Sequence, residues 1–255
     1  MKRILLVSWL ALILAGCVTV VHDPLTEKAS RSKAVQEYVS LGMGYFQTRQ
    51  YDLAIKRFRR ALEIDPDDPR ARSGLGLVYQ AQQEYDLAEE MFREVIRSHP
   101  EFTEGRNYYA AFLYQQGRFE DALAQLREAV KDVEYSGREL LFFNIGQIER
   151  RLGHNDKAIE AYRKSLVLNP AQPQVRLALA FAYADGGQDE LAWKQFSQFR
   201  EAVRRGLTRH SAASVALGVQ IAERTGRQDE AASLRLLLKN QFGESDEARR
   251  IFREN

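Results

Sequence analysis

Residues 75–100 read LGLVYQAQQEYDLAEEMFREVIRSHP, and this stretch decides the fold. Small and apolar residues fall at Leu75, Gly76, Tyr79, Tyr85, Ala88, Phe92, Val95 and Ile96 before the run stops at Pro100. The spacing predicts one helix over 69–82 and another over 85–98, with proline following because it cannot continue a helix. The same series stands upstream as Leu41-Gly42, Tyr45, Tyr51, Ala54, Phe58, Ala61-Leu62 and Pro66. Working outward, Ala54, Ala88, Ala122, Ala158, Ala192 and Ala231 recur at intervals of 34, 34, 36, 34 and 39 residues.

That period, with those residue types around each alanine, resembles the tetratricopeptide (TPR) helix-turn-helix unit. The resemblance implies an all-α fold: a right-handed TPR superhelix of six repeats with a short C-terminal capping helix. The repeats span about 35–68, 69–102, 103–138, 139–172, 173–211 and 212–241, and the cap 242–255, with Ala248, Ile251 and Phe252 turned inward. Glycine or alanine in the first helix of each repeat (helix A) lets the second (helix B) approach closely. One family position departs: where a large aromatic is usual, the chain has Tyr38, Arg72, Arg106, Phe142, Arg176 and Val215. Two connections are longer than the rest, at Glu134–Gly137 and through Arg200–Ser211.

The N-terminus carries an address. Lys2 and Arg3 precede an apolar run from Ile4 to Leu14, too short for the roughly 20 residues of a spanning helix. Leu14-Ala15-Gly16-Cys17 resembles the lipobox of bacterial lipoproteins. It implies a signal peptide over 1–16 and, on Cys17, covalent diacylglyceryl and N-acyl (palmitate-type) lipid. Val18 rather than Asp after the cysteine implies delivery to the outer membrane, on its periplasmic face. Residues 17–32 read as the lipidated end and a flexible tether, or else a short strand or helix on the first repeat. Removing 1–16 takes away Lys2 and Arg3, so Lys+Arg falls from 37 to 35 against 35 Asp+Glu. A formally neutral chain is a poor nucleic-acid ligand, which needs a basic excess.

No catalytic constellation stands out. His22, His99, His154 and His210 have no second ligand at metal spacing, and the glycines sit at repeat positions rather than in a phosphate loop. The reading is therefore not an enzyme, with no metal, no cofactor beyond the lipid and no small-molecule substrate. What remains is the face lined by the A helices. Val39, Met43, Phe46, Leu77, Tyr114, Phe143, Leu177 and Phe181 form a discontinuous apolar stripe there, with the polar residues Gln36, Arg70, Ser73, Gln80, Glu104, Asn107, Gln147, Arg150 and Gln174 at other inward positions. Such a groove suits an extended or amphipathic segment of another protein. The same residues would also serve as core between neighbouring A helices. Its longest apolar run, Val39 to Leu77, places the contact in the first repeats.

A lipobox, a tether and six TPR units together resemble the type IV pilus biogenesis and stability lipoproteins, the PilF/PilW family of pilotins. The resemblance rests on the LAGC motif and on the helix-B openings Tyr51-Asp52-Leu53-Ala54-Ile55 and Tyr85-Asp86-Leu87-Ala88-Glu89. It implies binding of type IV pilus secretin subunits, their localisation and multimerisation in the outer membrane, and hence pilus biogenesis and twitching motility. The alternative is a TPR lipoprotein scaffold for another periplasmic machine, in outer-membrane protein assembly or as a peptidoglycan-enzyme adaptor.

Overall fold

The computed structural model describes residues 24–253, and among them are thirteen helices and no strand. The signal segment, Cys17 and the first part of the expected tether lie outside the described residues. The chain divides after Val78 into two compact units. The first holds α1 (Pro24–Gln47), α2 (Tyr51–Ile64) and most of α3 (Pro69–Ala81). The second holds α4 (Tyr85–Ser98), α5 (Thr103–Gln115), α6 (Phe119–Ala129), α7 (Arg138–Arg151), α8 (Asn155–Leu168), α9 (Pro173–Asp185), α10 (Asp189–Arg204), α11 (Ala212–Arg224), α12 (Gln228–Phe242) and α13 (Asp246–Arg253).

In the first unit α1 packs against α2 around Phe58, which is fully buried. The ring lies between two helix-A glycines: a Cβ on Gly42 would fall 2.6 Å from it, and one on Gly74 would fall 2.4 Å away. Only hydrogen fits at either place. Residues 24–32, expected as tether, instead form the first turns of α1. Proline is well placed at a helix start, where its missing N–H has no partner to lose, and Glu27 suits the positive end of the helix dipole. The polar run Ser30-Arg31-Ser32 is a solvated helix face, and Arg31 Nη2 donates to the Ile64 carbonyl at 3.1 Å.

In the second unit α5 pairs with α6, α7 with α8, α9 with α10 and α11 with α12. Each A-to-B turn within a pair places one residue in the left-handed region: Gly117, Gly153, Gly187 and Gly226, at φ between 71° and 78°. Arg49 and Gln83 hold the same position at φ 60° and 66°, without glycine's freedom. Phe92, Tyr109 and Phe112 fill the α4–α5 junction, with ring centroids 5.6 to 6.3 Å apart. A continuous core then runs from Ala158 to Ile251. At its end α13 buries Ala248 and Ile251, but Phe252, expected inward, is 40% exposed because it falls at the edge of that face.

The B-to-A connections explain the arginines at the aromatic position. Arg72 Nη2 donates to the Pro66 carbonyl at 2.6 Å, Arg106 Nε to Pro100 at 3.0 Å and Arg176 Nη2 to Pro170 at 2.9 Å. Each reaches back six residues to hold the turn that precedes its own helix. These turns occupy four residues, 65–68, 99–102 and 169–172, whereas 130–137 separates α6 from α7. That longer connection begins earlier than the expected Glu134, because α6 ends at Ala129. Residues 205–211 join α10 to α11, which starts at Ala212 where Ser211 and Ser214 form a reciprocal capping box.

Candidate functional site

The apolar stripe separates into two parts. In the first unit Val39, Met43, Phe46 and Leu77 are all half-buried. Val39 packs on Val35, Ala61 and Ala71, and the Phe46 ring centroid is 6.2 Å from that of Tyr51. A cavity of about 680 Å³ in this unit lies against Lys28, Arg31, Val35, Ile64, Pro66 and Arg70. None of the four stripe residues lines it.

In the second unit the remaining four come together. Tyr114 from α5, Phe143 from α7, and Leu177 and Phe181 from α9 line one open cavity of about 640 Å³, with Gln147, Arg150 and Gln174 on its polar side. Repeat periodicity puts them there: homologous positions of successive A helices share one face. Phe143, Leu177 and Phe181 pack inward on the core and outward on the cavity, so they are core and surface at once. Tyr162 forms part of the floor, its ring 5.9 Å from Phe143, and burial pushes its phenol well above the ordinary range, so it stays neutral.

The rim is charged and fixed. Arg150 Nε donates to Asp185 Oδ2 at 2.7 Å, while its guanidinium lies 5.0 Å from the centre of the Phe181 ring. Asp185 lies 35 residues beyond Arg150, one residue past the equivalent position in the next repeat, so the repeat spacing does not single it out. Between α5 and α7, Asn144 Nδ2 donates to Asn107 Oδ1 at 3.1 Å, leaving other amide hydrogen-bonding sites on both side chains. An apolar floor with a few convergent polar groups can seat apolar side chains of a peptide and orient its backbone.

His154 and His210 each contact neighbouring side chains. His154 Nδ1 lies 2.9 Å from Oε2 of Glu149, a buried carboxylate that also accepts from Arg127 Nη2 at 2.9 Å. His210 Nδ1 is 3.0 Å from Ser214 Oγ, and the ring packs on Phe196 and Phe199. Among the described residues no group of three or more His, Cys, Asp or Glu side chains is arranged to hold a metal ion. Nor is any helix among them long and apolar enough to cross a membrane.

A model described as TPR repeat matches residues 42–83 and 146–187, and one described as tetratricopeptide repeat matches 74–137. The type IV pilus assembly protein PilF of Pseudomonas aeruginosa is 35% identical over 241 residues, 94% of either chain. The chain belongs to the PilF family. A solved structure from the functional characterisation of Pseudomonas aeruginosa PilF superposes with a TM-score of 0.81 at 32% identity, covering 89% of this chain and 100% of that one. The crystal structure of PilW, described as a widely conserved type IV pilus biogenesis factor, gives 0.74 at 25% identity over 86% and 98% of the two chains. The all-helical TPR architecture is thus that of PilF and PilW, which are type IV pilus biogenesis proteins.

Proposed function

We propose that this PilF-family protein is an outer-membrane pilotin: it binds type IV pilus secretin subunits and promotes their localisation and multimerisation, and pilus biogenesis and twitching motility depend on it. The address is the lipid on Cys17, where each buried methylene contributes about 0.8 kcal/mol, so two or three acyl chains anchor the protein firmly. The periplasmic face of the outer membrane is then its site of action. The observation that carries the binding role is the cavity shared by Tyr114, Phe143, Leu177 and Phe181. An unassembled subunit exposes apolar surface that must be covered before it meets its neighbours, and a preformed apolar groove covers it without an energy source. The position of that cavity moves the favoured contact from the first repeats to α5, α7 and α9.

Binding of purified secretin tests this directly. Tyr114→Asp, at a side chain already 37% exposed, leaves the core intact and should weaken secretin binding tenfold or more, with unchanged circular dichroism and melting temperature. Full affinity in Tyr114→Asp and in a second variant, Arg150→Glu, would remove this cavity from the contact. No secretin binding by the unaltered protein would favour a scaffold for another periplasmic machine.

A further inference from the structure

The fourth repeat carries a second cleft that shares no lining residue with the groove just described. About 610 Å³ in volume, it lies between the start of α7 and one long face of α8, over Phe142, Ile159, Val167 and Leu168. Its origin can be read in the chain. Repeats two, three and five place arginine at the position of Phe142 and tie it to the preceding turn. Here the connection is longer, and the turn is held from a different place: Arg138 Nε donates to the Val130 carbonyl at 3.0 Å. Phe142 is left between two cations, with Arg138 at 5.5 Å and Lys164 at 5.7 Å from its ring centre.

Charge and exposure then indicate what the cleft takes. Lys164 is already paired with Glu160 at 2.6 Å, whereas Arg138 and Arg163 meet no carboxylate among the described residues. Asp156, the remaining acid on the lining, lies in the first turn of α8, where the helix dipole favours it. Val167 is 80% exposed and Leu168 46%, in line with Arg163 and Lys164 on the same helix. An apolar floor bordered by uncompensated guanidinium groups is complementary to apolar side chains flanked by carboxylates. We propose that this cleft, on the helix-B side of the fourth repeat, is a docking site for an acidic amphipathic segment of a partner protein. Its concavity favours inserted side chains over the flat surface of a membrane. Occupation of this site is independent of the A-helix groove, so one molecule can hold two segments at once.

The test uses the full chain and a fluorescently labelled peptide series in which a leucine stripe is flanked by glutamates, with a lysine-flanked series of equal hydrophobicity as control. The glutamate series is expected to bind, more weakly as salt rises, and at least tenfold more tightly than the lysine series. Arg163→Glu and Val167→Asp, both at exposed positions, should each reduce binding at least fivefold, while Tyr114→Asp should leave it unchanged. That last comparison separates this site from the groove and from the pilotin role. Absence of glutamate-peptide binding, equal affinity for both series, or indifference to Arg163→Glu would overturn the proposal. Binding to phosphatidylglycerol vesicles in place of the peptides, lost in Arg163→Glu, would reassign the cleft to anionic lipid.

Discussion

Phe58 shows at one side chain why this repeat tolerates so little change. Its ring is fully buried and meets Gly42 on its own helix pair and Gly74 on the next helix, so a methyl group at either place has nowhere to go. Alanine is the better helix former by about 1 kcal/mol, but overpacking a closed core costs about 1 to 3 kcal/mol. Gly74→Ala should therefore destabilise the protein, read as a lower urea midpoint. The left-handed turn residues argue the opposite way. Gln83 adopts φ 66° where other repeats use glycine, a conformation that costs an L-residue roughly 1 to 2 kcal/mol. Gln83→Gly should raise stability by about 0.5 to 1 kcal/mol, after the extra freedom that glycine gives the unfolded chain. The glycine at Gly42 was legible from its repeat position. The second contact, at Gly74, was not, because one repeat read by itself says nothing about how its neighbour packs on it.

Among elements, the helix ends inside the repeats were the most legible feature. α2, α4 and α8 begin and end at the expected residues, since proline, glycine and the small residues of the turns mark them locally. α1 was harder: Ser30 to Lys33 carry no apolar period, and a fully solvated helical face looks like a tether in sequence. The arginines at the aromatic position were equally opaque. They read as a loss of packing, yet they restrain the turns by hydrogen bonds that a hydrophobic pattern cannot signal. Arg106 also donates Nη1 to Gln125 Oε1 at 3.0 Å, joining turn to helix B. Arg106→Met should cost about 1 to 3 kcal/mol and speed hydrogen exchange at residues 99–106 more than elsewhere. Uniform protection across the repeat would show that the turn holds without it.

At the level of the whole molecule, fold and family were both readable, because TPR spacing and the pilus-lipoprotein resemblance repeat or extend over most of the chain. The groove was legible only in part. A-helix positions on one face named Tyr114, Phe143, Leu177 and Phe181, and they do share a cavity; Val39, Met43, Phe46 and Leu77, placed by the same spacing, do not line the cavity described between α1 and α2 in the first unit. The two sets are buried to a similar degree, and what differs is the set of neighbours around each side chain, which spacing leaves unspecified. The proposed pilotin role, moving secretin subunits into assembled rings, can be checked by resolving secretin species without full denaturation in membranes from cells with and without this protein. Loss of the protein should remove the high-mass oligomer and leave subunits as monomers or in the inner membrane. Normal oligomers in the outer membrane would contradict that role.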